Sequence, residues 1–179
     1  MDRRTLLGGG GVLMAAQALS LEAHARAVTS PVLPDDKRFM QLAIDQAKQG
    51  DYPFGTVIVR DGEVLASGHN SSRRDGDPTA HGEMVAIRAF LKEHGAAALK
   101  GTTLYTSGEP CVMCMGAIIW CGVARVVYAA SIAELATRIG QIDITSAQIA
   151  DATPFATVDI TGGLLSRESI DLFPLADKQ

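Results

Sequence analysis

Cysteine is scarce. Three cysteines in 179 residues are too few to build a small disulfide-held domain. Long apolar runs are missing too. None reaches 18 residues without a charge, so a bilayer-spanning helix is not expected. Nor is there an excess of basic charge. The formal net charge is −4 and the pI about 5.5. That balance excludes a broad basic surface for nucleic acid but leaves room for a local patch. What is present is a 47% hydrophobic, 20% charged chain of mean hydropathy +0.14. Such a chain is neither disordered nor collagen-like. Its length fits one domain, or one domain plus a processed segment, and it contains no internal repeat.

The N-terminus has the order of an exported leader. Met1-Asp2-Arg3-Arg4-Thr5-Leu6-Leu7 is basic, Gly8 to Leu21 is modestly apolar, and Ala23-His24-Ala25-Arg26-Ala27 offers a small-residue cleavage site. The arginine pair before Thr5-Leu6-Leu7 resembles the twin-arginine export signal. An ordinary protein start is the alternative. The expectation is a periplasmic protein, or a cytoplasmic one if the leader is not functional, with no membrane contact after leader removal. Without residues 1–27 the chain has 152 residues and net charge −5, because the segment carries three arginines against Asp2 and Glu22. Residues 28–36, with two prolines, read as a linker, and 37–179 as the domain itself.

The rest alternates between helical and strand patterns. Lys37 to Gln49 carries Phe39, Met40, Ala43, Ile44 and Ala47 at helical spacing, with Gly50 placed to end it. Thr56–Arg60 and Glu63–Ser67 are β-rich runs around Asp61-Gly62, a strong hairpin signal. The polar loop Asn70 to Thr79 leads to a helix over His81–Glu93. Thr102–Thr106 reads as a third strand, and Cys111–Trp120 as a helix apolar nearly all round, hence buried. Arg125–Tyr128 reads as a fourth strand, Ile132–Ile139 as a helix, and Thr157–Thr161 as a fifth strand. The pattern is an α/β layered sandwich.

Two short motifs carry chemistry. His81-Gly82-Glu83 opens one expected helix, and Glu109-Pro110-Cys111-Val112-Met113-Cys114 opens another. Cysteines three apart share a helix face, and a helix N-terminus favours thiolates. With one neutral imidazole they make three ligands for Zn2+, and a catalytic zinc keeps its fourth position for water. Glu83, two residues after His81, would point off the ligand axis toward that position. There a carboxylate can take a proton from the water and pass it to a leaving amine. Each half alone is weak: His-x-Glu is common surface decoration, and Cys-x-x-Cys can be a redox pair. Together, in this order, they form the zinc deaminase signature. Cys121 reads as a small core hydrophobe, and His69 and His94 as surface or supporting residues.

Pro53-Phe54-Gly55, Gly68-His69-Asn70, Asp77-Pro78-Thr79-Ala80-His81-Gly82-Glu83 and Thr106-Ser107-Gly108-Glu109-Pro110-Cys111-Val112-Met113-Cys114 together resemble the cytidine deaminase superfamily. The branch is that of bacterial guanine deaminases and tRNA adenosine deaminases, and the likeness runs from about Lys37 to Ala130. It departs at Gly82, where family members usually have Ala. The resemblance implies a three-layer α/β fold with a five-stranded mixed sheet between helices. It implies a substrate pocket with Asn70 hydrogen-bonded to the ring, Phe54, Gly55 and Ala80 beside it, and Trp120 packed nearby. The backbone of Glu109, Pro110 and Cys111 would face the reacting group. A homodimer is implied, with the Cys111–Trp120 helix near the shared surface.

These readings converge on a zinc-dependent aminohydrolase that releases ammonia from a nucleobase or nucleoside, with guanine as the first substrate. A tRNA adenosine deaminase is the runner-up, disfavoured by the acidic chain. Cytosine, nucleoside and pterin rings stay open, as do a non-catalytic zinc-stabilised binding protein and a thiol redox protein. Glu83 argues against a dead site. In guanine deaminases of this family an acidic residue accepts the guanine N–H groups, and the corresponding carboxylate is Asp143, reached with a one-residue insertion.

Overall fold

The structure, a computed structural model, describes residues 28–174. The leader reading of residues 1–27 lies outside them. One mixed sheet forms the frame. Its strands are β1 (Val28–Thr29), β2 (Gly55–Arg60), β3 (Glu63–His69), β4 (Thr103–Gly108), β5 (Arg125–Ala130) and β6 (Asp159–Thr161). They lie side by side in the order β1-β6-β5-β4-β2-β3. β2 runs antiparallel to β3 and β4, while β4, β5, β6 and β1 are mutually parallel. The turn between β2 and β3 sits on Asp61 (φ 52°) and Gly62 (φ 78°), the double positive φ that a tight hairpin needs.

The pleat sorts the core into two layers. Ile58, Leu104, Val126 and Ile160 point to one face, where Ile87 and Phe90 of α2 (Gly82–His94) and Met115 and Ile118 of α3 (Val112–Cys121) cover them. Their neighbours Val57, Val59, Tyr105 and Val127 point to the other face, against Phe39, Met40, Ala43 and Ile44 of α1 (Asp36–Ala47). This is the expected three-layer α/β fold, with the five expected strands.

The sequence reading needs additions. Val28 and Thr29, placed in the linker, add a short sixth strand beside Asp159 and Ile160. Behind it the linker is locked down: the buried Asp36 carboxylate pairs with Arg125 of β5. The helix expected over Ile132–Ile139 is only α4 (Ile132–Leu135). α5 (Ser146–Asp151) and α6 (Ser166–Ile170) are the remaining α-helices among the described residues. Among the described residues no helix is long and apolar enough to cross a membrane.

Candidate active site

His81 is the N-cap of α2 and Cys111 the N-cap of α3, both extended at ψ 156° and 172°. Glu83 and Cys114 lie in the first turns behind them. The unpaired N–H groups of both helix starts therefore surround the same spot, which favours anionic side chains there. His81 Nδ1 stands 3.7 Å from Cys111 Sγ and 3.6 Å from Cys114 Sγ, and the three ligand atoms lie within 4.8 Å of one another. A nitrogen and a sulfur at tetrahedral zinc distances of about 2.0–2.1 and 2.3 Å would be separated by about 3.6 Å. The residues fit the ion.

The protonation pattern follows from this crowding. The Cys114 S–H donates to Cys111 and, with His81 adding to it, holds the Cys111 thiol down to about 4. The same bond, with burial, pushes the Cys114 thiol up. Hydrogen bonding to Cys111 raises the His81 imidazole against the effect of burial. Burial, aided by the Cys111 charge, pushes the Glu83 carboxyl up to about 7. A metal cation would displace the protons shared by the three ligands.

Beside the triad lies a cavity of about 240 Å3. His81, Glu83 and Cys111 reach it from the helix starts. Tyr52, Phe54, Asn70, Ser72 and Glu109 line it further, and Ile139, Gly140, Gln141 and Ile142 complete the wall. Phe54 lies parallel to the His81 ring at 6.5 Å and is backed edge-on by Phe173 at 5.0 Å. Asn70 is fixed at both ends: its N–H donates to the Phe54 carbonyl at 2.9 Å, and its carbonyl accepts from Asp51 N–H at 2.8 Å. Its Oδ1 accepts from Ser72 N–H and Oγ–H. The side-chain N–H2 is thereby left as the donor for a cavity occupant.

Of the expected pocket residues, Phe54, Asn70 and Glu109 line the cavity. Gly55, Ala80 and Pro110 are not among its lining residues. At Gly55 a Cβ would lie 2.1 Å from Ala47 N, so this glycine serves the close approach of α1 to β2. Asp143 is exposed beyond the lining, where water rather than a dry pocket surrounds its carboxylate; Gln141 is the polar lining residue of that loop. Trp120 is a correction. It is 78% exposed and lies against Phe155, the ring centroids 4.7 Å apart and the planes tilted by 34°. Eight residues along α3 from Val112 carry it about 12 Å up the axis, away from the site. His69 and His94 stay outside the triad, and Cys121 packs against the core. Tyr52, Ser72, Phe173 and the wall 139–142 were not foreseen. A capping signature at Thr145-x-x-Gln148 could have marked the end of that wall.

The comparisons with known proteins agree with this geometry. The family described as the cytidine and deoxycytidylate deaminase zinc-binding region matches residues 33–130, more than half of the chain. A guanine deaminase of Bacillus subtilis (strain 168) is 48% identical over 95 residues, 52% of this chain and 61% of the relative. A tRNA-specific adenosine deaminase of Aquifex aeolicus (strain VF5) is 36% identical over 96 residues, 51% of this chain and 64% of the relative. The chain thus spans under two thirds of the length of either. A solved structure from a study of A-to-I editing by tRNA:A34 deaminases superposes with a TM-score of 0.66 at 32% identity, covering 76% of this chain and 99% of that one. The chain belongs to the cytidine and deoxycytidylate deaminase zinc-binding family.

Proposed function

We propose that this protein is a zinc-dependent hydrolytic deaminase of a free amino-substituted nucleobase, converting guanine and water to xanthine and ammonia. The observation that carries the reading is Glu83, buried at the floor of a base-sized cavity beside the His81–Cys111–Cys114 triad. The likeness to the Bacillus guanine deaminase supports the choice of ring. Zinc, when bound by the triad, supplies a Lewis acid and an activated water at neutral pH. Glu83 takes a proton from the attacking water and delivers it to the departing amine. Asn70, its oxygen occupied by Ser72, donates its amide N–H to a ring acceptor. Phe54 lies alongside the ring, and the half-buried Ile139 adds an apolar wall.

A tRNA adenosine deaminase is the second reading, favoured by the likeness to the tRNA:A34 deaminase structure. An ammonia-release screen of the purified protein against guanine, other free bases, nucleosides and tRNA separates the two. Release from guanine alone supports the first reading; release from tRNA with none from guanine replaces it with the second.

We propose two further properties, export and self-association. Export through residues 1–27 predicts that Lys at positions 3 and 4 traps the protein in the cytoplasm, and unchanged periplasmic recovery would refute it. Homodimerisation, supported by the exposed Trp120–Phe155 pair near the end of α3, predicts a light-scattering mass twice that of the chain. A clean monomer would refute that.

A further inference from the structure

We propose that Glu109 is a positioning residue that couples the zinc-binding segment to the substrate wall of the cavity. The inference rests on the deaminase reading above for its kinetic consequence and on geometry for the coupling itself.

The wall residues 139–142 belong to the stretch between α4 and α5. Both helices begin with a reciprocal cap. Ser131 Oγ accepts from Glu134 N–H while the Glu134 carboxylate accepts from Ser131 N–H. Thr145 and Gln148 repeat the arrangement at α5. Such boxes satisfy the N-cap and the third residue, leaving the first helical N–H without an intrahelical partner. In α4 that group is Ile132 N–H, and in α5 it is Ser146 N–H.

A single buried carboxylate takes both. Glu109 Oε2 accepts from Ile132 N–H at 2.9 Å. Its Oε1 accepts from Ser146 N–H and Ser146 Oγ–H, each at 2.8 Å. Glu109 itself is fixed by its N–H to the Ala130 carbonyl at 2.7 Å and sits two residues before Cys111. Between these anchors the wall has little support of its own. Among the described residues, the one backbone hydrogen bond donated from Gly140 to Ile144 is internal, Ile144 N–H to the Ile142 carbonyl. Gln141 and Ile142 therefore stand where α4 and α5 put them, and Glu109 holds the starts of both short helices in register with the metal ligands.

Glu109→Gln keeps the shape but turns an N–H2 toward an N–H donor, so a buried donor loses its acceptor. The triad and Glu83 are untouched. The test is hydrogen exchange on the zinc-loaded full chain, with guanine kinetics alongside. Expected are the hydrogen-bonded amides of residues 136–139, 144 and 145 exchanging at least tenfold faster in Glu109→Gln, zinc still near one per chain, and KM raised tenfold or more with kcat within about threefold. Ser146→Ala, which keeps its backbone N–H, should move exchange and KM the same way by less. Unchanged exchange at those amides would overturn the inference. So would loss of zinc from Glu109→Gln, or a collapse of kcat at constant KM. A wild type inactive on guanine would sink the proposed substrate, while the exchange result would still decide the role of Glu109.

Discussion

Replacing Asp36 by alanine should destabilise the fold far more than any surface ion pair could. Its carboxylate is 1% exposed and accepts four hydrogen bonds. Arg125 Nη1 and Nη2 donate to Oδ1 and Oδ2 at 2.7 Å each, Tyr105 Oη–H to Oδ1 at 2.8 Å, and Leu33 N–H to Oδ2 at 2.7 Å. Alanine would leave the buried Arg125 guanidinium with only the neutral acceptors Ser30 Oγ, Pro31 O and Thr161 Oγ1 and no counter-charge from Asp36. Removing one partner of such a pair costs about 3–5 kcal/mol, a large part of a typical total of about 5–15 kcal/mol. At about 2–4 °C per kcal/mol for a domain of this size, Tm should fall by about 6–20 °C. Urea and thermal unfolding at pH 7 on zinc-loaded protein measure it. Asp45→Ala, which breaks the exposed Lys48 pair, should cost at most about 1 kcal/mol. The pH dependence has a defined sign. Burial would raise the Asp36 carboxyl, but hydrogen bonds from Arg125, Leu33 and Tyr105 outweigh it and hold the group low. Its contribution is therefore complete above the unfolded value of about 3.9 and fades as pH falls through the folded one. The wild type should lose this stability below about pH 4, and Asp36→Ala should lack that part of the acid limb. A variant within about 1 kcal/mol of wild type would refute the reasoning.

Other consequences are more local. Cys114→Ser should lower zinc content well below one per chain and lower Tm with it, because metal binding couples to folding; full zinc by elemental analysis would contradict this. Gly82→Ala sets two effects against each other. Leaving glycine favours the helix by about 0.8–1 kcal/mol, but the new Cβ would lie 2.9 Å from the Phe54 carbonyl oxygen, the acceptor of Asn70 N–H. Overpacking at about 1–3 kcal/mol should win, with Tm slightly lower and KM for guanine several-fold higher. An unchanged KM would mean that the helix start gives way instead.

Local chemistry was legible in the sequence. The hairpin followed from Asp61-Gly62 because the turn needs two positive φ values. The triad followed from His81, Cys111 and Cys114 because each motif opens a helix, so spacing alone fixes the face. What stayed hidden depends on distant partners. Glu109 was read for its backbone because Ile132 and Ser146 lie 23 and 37 residues away. The linker looked unstructured because β1 exists only through its pairing with β6. The apolar residues from Ile132 to Ile139 suggested one helix, yet the chain leaves it after Leu135 and Ile139 enters the cavity wall. Trp120 was placed by its neighbours in sequence, although the axis of α3 carries it away from the site.

The central claim, that this site deaminates guanine through Glu83, is tested most directly by following ammonia and xanthine from guanine with zinc-replete wild type and zinc-replete Glu83→Gln. The account predicts one ammonia and one xanthine per guanine consumed by the wild type. In the variant, turnover should be about 10²–10⁴-fold slower with zinc unchanged. A zinc-replete wild type that releases no ammonia from guanine, or a Glu83→Gln protein that turns over normally, would contradict it.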